Sequence, residues 1–315
     1  MSHRSEPSRP PHQSRPSRPS RPSLRRPRVY AAVTSVVLAA AIAGTTVYAQ
    51  TQPHTAAALV SHAASASKES ATVDRDAELA KAVKEAAQGH DGEVSVTVLN
   101  ETDGTSASYA SGDGTYDTAS IVKVDVLATL LLRAQDEGRT LTAQERTYAT
   151  AMIESSDNDA TTALWDELGR ADGLDAANER LGLTGTSGGD GELWGLTQTT
   201  ADDQLTLLKQ VFGLGDDLAL SKESRSYVQE LMGNVESDQA WGVSAAGDGE
   251  AALKNGWLQR STTGLWDINS VGQVTVDGQR YLVAVVSNGS ATKAAGIDLV
   301  EDVAKAAVPV VSGGA

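Results

Sequence analysis

The chain has 315 residues, 26 of them basic and 41 acidic, and it contains no cysteine. Thiolate catalysis, disulfides, thiolate metal sites and a lipid-modified N-terminal Cys are therefore excluded. Its five histidines are His3, His12, His54, His62 and His90, so an HExxH zinc site cannot exist, and no metal or other cofactor is expected. A Ser-His-Asp triad would need His90, which sits in a Gly/Asp-rich stretch. A hydrolase built on this chain must instead use Lys, Glu or Asp as its base.

Residues 1–28 hold Arg4, Arg9, Arg15, Arg18, Arg21, Arg25, Arg26 and Arg28 against one acid, Glu6, with Ser-Arg-Pro recurring from Ser8, Ser14, Ser17 and Ser20. A basic tract broken so often by proline cannot bury a core and reads as disordered. Subtracting it from the totals leaves 18 basic and 40 acidic residues, a net charge of −22 that repels phosphate backbones. Nucleic acid is not an expected partner. Residues 29–49 form an apolar run interrupted only by Thr, Ser and Gly. Behind a basic flank, such a run is the signature of a signal peptide or membrane anchor, with the Arg side left in the cytoplasm. Val47-Tyr48-Ala49 offers small residues for cleavage before Gln50. The protein is thus expected to be exported, secreted or held at the membrane only by this segment. Residues 50–72, rich in Ala, Ser and Thr, read as a linker, residues 73–308 as the folded domain and 309–315 as a tail.

Within the domain, residues 73–87 have the spacing of an amphipathic helix, with Leu79, Val83 and Ala86 on one face. Val94, Val96 and Val98 alternate along a strand at 93–99, and residues 106–109 can return as its hairpin partner. Residues 120–135 predict a strongly apolar helix. Thr142 and Glu145 predict a capping box that opens a helix at 143–155. Further helices are expected at 159–168, 174–181, 201–211 and 222–232. Strands follow at 251–258, 264–276 and 280–287, the last two joined by Asp277-Gly278, and a helix at 294–307 closes the domain. The pattern implies an α/β chain of the α+β type. About five antiparallel strands come from both chain ends, flanked by helices, around a mostly helical central block.

Ser120 and Lys123 lie three apart at the start of an apolar helix, on one face and within mutual reach. Burial disfavours an ammonium ion, so a desolvated Lys123 can be a neutral amine able to take a proton from a serine hydroxyl. Free N–H groups at the helix start favour a developing oxyanion on the same residue. Taken singly, the pair also fits a helix cap and a snorkelling lysine. Ser156-Asp157-Asn158 then links two predicted helices, where it can cap the second or pass a proton and hold an amide. Lys254-Asn255-Gly256 follows on a strand, with a glycine that permits close backbone approach.

Ser120-x-x-Lys123, Ser156-Asp157-Asn158 and Lys254-Asn255-Gly256, in that order, resemble the motif set of class A β-lactamases and penicillin-binding serine hydrolases. The resemblance spans the domain and implies a β-lactamase-like fold. It implies Ser120 as acylated nucleophile, Lys123 as proton acceptor, Ser156 as proton shuttle and Lys254 as electrostatic anchor for a substrate carboxylate. Asn158, Asn255, Gly256 and Trp257 would contact substrate, with the Ser120 and Trp257 N–H groups forming an oxyanion hole. Three departures stand out, one being that the stretch between Ser120 and Ser156 is shorter than in typical class A enzymes. Asn255 replaces the usual Thr or Ser, and no Glu-x-x-Leu-Asn loop is recognisable. Glu192 is the nearest substitute for its deacylating base and reads more readily as a surface loop residue.

The expected function is hydrolysis of a β-lactam amide through an acyl-enzyme at Ser120. The alternatives are a D-alanyl-D-alanine peptidase or penicillin-binding protein that deacylates slowly, and a non-catalytic module that binds cell-wall peptide or a partner protein. A β-lactam or peptidoglycan peptide is the implied small-molecule partner, and oligomeric state is not legible. Gly185-Thr186-Ser187-Gly188-Gly189 fits a nucleophile-elbow pattern but follows a helix and has no His after it, so it reads as a flexible loop. Trp241 and Trp257, which flank Lys254, are placed at the cleft.

Overall fold

The structure is a computed structural model describing residues 74–112 and 114–313. The basic tract at 1–28, the apolar run at 29–49 and the linker at 50–72 lie outside the described residues. Among those described, no helix is long and apolar enough to cross a membrane.

Helix α1 (Arg75–Ala86) opens where the Asp74 carboxylate accepts Ala77 N–H at 3.1 Å. Strands β1 (Glu93–Asn100) and β2 (Ser106–Ala110) form the expected hairpin. β5 (Ala251–Gln259), β6 (Trp266–Val276) and β7 (Gln279–Ser290) complete a sheet of order β2-β1-β7-β6-β5, antiparallel throughout. The closing strand β7 thus sits at the centre, and its side chains show what a two-faced strand requires. Leu282, Ala284 and Val286 pack into the helical block, whereas Tyr281, Val283 and Val285 pack with α1 and the last helix.

Between the two chain ends lie α2 (Val122–Asp136), α3 (Ala143–Glu154), α4 (Asn158–Leu168), α5 (Arg170–Leu181), α6 (Ala201–Phe212) and α7 (Lys222–Gly233). α2 is buried nearly all round, as a helix at the centre of a bundle must be. The capping box at Thr142 and Glu145 is present, and Arg139 grips the Glu145 carboxylate through both terminal nitrogens at 2.9 Å.

Three local outcomes differ from the sequence expectation. The final helix α8 runs Lys293–Val311 with Pro309 inside it, so residues 309–311 are helix rather than tail. Burial of Val308 and Val311, with the Asn100 amide donating to the Val311 carbonyl at 3.2 Å, holds the last turn together. Two short strands, β3 (Tyr116–Asp117) and β4 (Gln198–Thr199), pair antiparallel and are too short to leave a periodic trace in sequence. The glycine loop at 185–189 is anchored, not loose: Asp203 Oδ2 accepts Gly185 N–H at 2.8 Å and the Thr186 hydroxyl at 2.6 Å. Asp175 accepts Gly188 N–H at 2.7 Å.

Candidate active site

Ser120 lies in a short helical turn, Ala119–Ile121, immediately before α2. Ala119 adopts φ 46°, in the left-handed region that non-glycine residues rarely occupy. β5 packs against this turn, and Gly256 is the reason it can. A Cβ there would lie 2.7 Å from Ser120 N and 2.7 Å from Thr118 O. Strand and nucleophile therefore meet backbone to backbone, and β5 is the outer strand of the sheet.

Beneath the serine, the two motif lysines converge on one hydroxyl. Lys123 Nζ donates to Ser156 Oγ at 3.0 Å, Ser156 O at 2.7 Å and Asn158 Oδ1 at 2.9 Å. Lys254 Nζ donates to the same Ser156 Oγ at 2.9 Å and to Asn255 O at 3.0 Å. Both lysines are fully buried. Burial pushes the Lys123 ammonium down to about 7, against a smaller opposing pull from Asp157. Lys254 is lowered well below the ordinary lysine value, first by burial and then by its neighbour Lys123. Ser156, at φ 56°, accepts from both amines and so has its lone pairs occupied, leaving its own O–H free to donate elsewhere. No described hydrogen bond joins Lys123 to Ser120. The amine must leave one of its three acceptors to receive the serine proton.

A cleft of about 600 Å³ opens above this cluster. Ser120, Ser156 and Asn158 face it from one side, Glu192 to Leu196 from a second, and Trp257 to Thr262 from a third. Trp194, which the sequence left unassigned, lays its ring 5.0 Å from Lys123 Nζ and donates from its indole to Thr162 Oγ1 at 3.2 Å. Trp165 donates to Gly191 O at 2.8 Å and pins the same wall from below. Trp241 does not line the cleft; it packs on Trp257 at 6.0 Å between ring centroids. Lys293 sits 3.7 Å from the Trp257 ring centre.

Two expected contacts take other roles. Asn255 is fully buried, with its amide donating to Gln239 O and accepting from the Ser270 hydroxyl at 2.7 Å. Its side chain braces β5 from behind and is not available to substrate. Glu192 lines the cleft, but its side chain is 72% exposed and lies 3.6 Å from Arg170. That placement agrees with a surface loop residue better than with a base held against Ser120. The sequence reading also missed Asp117, Gln198, Arg260 and Asn269, which tie the cleft walls together. Only the position of Asp117, just ahead of Thr118-Ala119-Ser120, could have drawn attention to it.

The family described as the β-lactamase enzyme family matches residues 136–311. The chain belongs to that family. The matched stretch holds the Ser156 and Lys254 motifs and begins after Ser120 and Lys123, which the geometry supplies. No curated protein matches. Among solved structures, TLA-1 extended-spectrum β-lactamase superposes with a TM-score of 0.66 at 17% identity, covering 76% of this chain and 99% of that one. A class A β-lactamase from Bacteroides cellulosilyticus gives 0.63 at 16% identity over 76% and 99%. PBP-A gives 0.60 at 24% identity over 72% and 93%, and a mutant of PBP-A has been seen as an acyl-enzyme with penicillin G. At such identities the likeness establishes the β-lactamase fold and leaves substrate and turnover to the site itself.

Proposed function

We propose that this β-lactamase-family protein is a serine hydrolase of the β-lactamase and penicillin-binding type that acylates readily at Ser120 and releases the acyl group slowly. The observation that carries the reading is the Ser156 hydroxyl, held between two buried lysine amines at the lip of the cleft that Ser120 also lines. Neutral Lys123 takes the Ser120 proton as Oγ attacks the amide carbonyl. The oxyanion forms against the Ser120 and Trp257 N–H groups on either side of Gly256, where preorganised donors count most. As the C–N bond breaks, Ser156 gives its free proton to the leaving amine and is resupplied by the Lys123 ammonium. A substrate carboxylate entering beside Lys254 would favour its protonated form and be anchored by it.

Slow release follows from what surrounds Lys123. Its polar partners are Ser156 and Asn158 and the Trp194 ring lies beside it; the nearby Asp157 carboxylate is engaged in capping α4, and Glu192 is drawn off by Arg170. No described carboxylate is positioned to activate water against the ester. A fluorescent penicillin followed by intact mass tests both halves. Wild type should gain one adduct that persists over many minutes, and Ser120→Ala should gain none. Rapid loss of the adduct would make the protein a β-lactamase in the full sense. No adduct on wild type would favour a non-catalytic wall-binding module.

The apolar run at 29–49, behind its basic flank, supports placing the folded domain on the outer side of the cytoplasmic membrane. Fractionation with N-terminal sequencing checks this: a mature chain beginning at Gln50 means secretion, an intact membrane-bound chain means anchorage, and a cytosolic chain sinks the assignment.

A further inference from the structure

Three leucines on the cleft have no part in the core. Leu193, Leu196 and Leu258 line it, yet none packs into either of the two hydrophobic clusters that hold the domain together. Leu193 is 55% exposed, the most exposed large hydrophobic side chain among the described residues. A fixed turn holds it out: Leu193 N–H donates to Asp190 O at 3.0 Å, and its carbonyl accepts from Leu196 N–H at 2.8 Å. Apolar side chains kept in water around a nucleophile mark a ligand surface.

Strand parity orders the opposite wall. Lys254, Gly256 and Leu258 alternate with Asn255 and Trp257 along β5, so the first three share one face. On that face Lys254 reaches Ser156, Gly256 meets Ser120, and Leu258 stands about 6–7 Å farther along the strand than Gly256. A substrate laid along β5, with its carboxylate toward Lys254 and its scissile amide at Ser120, sends its acyl side chain toward Leu258. The charged side chains on the lining are already paired. Glu192 lies 3.6 Å from Arg170, and Arg260 donates to the Asp117 carboxylate, which also accepts from Gln198.

We propose that the cleft selects acyl donors carrying a bulky apolar side chain, received between Leu193, Trp194 and Leu196 on one wall and Leu258 on the other. The proposal deepens the acyl-enzyme reading and rests on it for one of its two readouts. No bond forms or breaks at these residues; they act by taking apolar surface out of water as the substrate seats. A charged side chain loses hydration there, and the charges nearby are already neutralised.

The test compares acylation of the full chain by three penicillins that share one nucleus and differ in the side-chain acyl group. These are phenylacetyl, acetyl and aminoadipoyl, the last ending in an ammonium and a carboxylate. Intact mass against time should give phenylacetyl a second-order rate at least about tenfold above acetyl, with aminoadipoyl no faster than acetyl. Leu193→Ser and Leu258→Ser should each shrink the phenylacetyl advantage by roughly fivefold, whereas general damage would slow all three alike. Equal rates in wild type, or an advantage untouched by both substitutions, overturns the inference. Should Leu258→Ser not fold, Leu193→Ser, at an exposed position, carries the comparison. Methyl NMR on the full chain labelled at Leu, with the serine variants for assignment, reads the cleft without any acylation. Phenylacetylglycine should shift the Leu193 and Leu258 methyl signals saturably, and aminoadipate should not. No shift with phenylacetylglycine, or equal shifts with both, overturns the inference. If no penicillin acylates any form, the serine reading fails and the methyl titration alone decides the cleft.

Discussion

On one side of Ser120, Lys123 and Lys254 share the Ser156 hydroxyl; on the other, the Asp117 carboxylate accepts from Arg260, and Asp267 is buried on β6. Burial lowers both lysines, with Lys123 adding to the shift of Lys254, and burial followed by the negative Asp117 raises Asp267. The consequences for stability have opposite signs. A lysine lowered to about 7 releases its proton in the folded protein while the unfolded chain still holds it, so stability is regained as pH rises from about 7 toward the ordinary lysine range. A carboxyl raised to about 7 keeps its proton when the unfolded chain has lost it, so stability drains away between the ordinary carboxylate range and about 7. Near neutrality both costs are present at once. The protein is least helped by these groups at the pH where the proposed chemistry needs a neutral Lys123, a familiar exchange of stability for function.

Several substitutions break or sharpen that contrast. Lys123→Ala removes the base from the cationic side and should lower acylation by about 10²–10⁴-fold, measured by stopped-flow labelling. Gly256→Ala leaves both charged pairs in place but pushes a methyl into Ser120 N and Thr118 O. Acylation should fall roughly 10²-fold through displaced geometry, with the rising limb of the pH profile unmoved.

Asp125→Asn extends the carboxyl side of the comparison into the core. Asp125 is 1% exposed, and burial pushes its carboxyl up to about 8, although Asn178, with its amide nitrogen facing the acid, donates at 3.0 and 3.1 Å. The cost of Asp125 is absent below the unfolded value and grows up to about pH 8. The Tm of Asp125→Asn relative to wild type should therefore climb across that interval, by about 2–4 °C for each kcal/mol recovered, and level off beyond it. A constant difference across pH would show that Asp125 does not titrate there. The smallest effect belongs to Glu192→Gln, since an exposed side chain paired with Arg170 contributes little. Adduct lifetime should stay within about twofold, and a large lengthening would identify Glu192 as the base after all.

The two sides also differ in how far the sequence reveals them. Ser120, Lys123, Ser156 and Lys254 fall in short motifs on helix starts and a strand, where local spacing marks each segment even though only the fold brings the three together. Asp117, Gln198, Arg260 and Asn269 are single polar residues on short strands and strand ends, brought together only by sheet register and the β3–β4 pairing. No local pattern distinguishes them from solvated surface groups. The α/β layering was readable because alternation in β1 and β7 and the apolar run of α2 are long. The end of α8 was not, because Pro309 stops a helix in isolation while Val311 and Asn100 keep this one going. Asn255 was misplaced for a related reason: strand parity says that neighbours point oppositely, but not that Gln239 and Ser270 wait behind.

The exposed flank of β5 has a further meaning for how such a protein changes over time. Hydrogen-bonding groups along an outer strand belong to the main chain, so replacing the side chains of Trp257, Leu258 or Gln259 redecorates the groove without erasing its receiving edge. Gly256, by contrast, is held to glycine by its contact with Ser120. A lineage can therefore drift far in composition, and alter which acyl groups it welcomes, while the means of gripping an amide stays where it was.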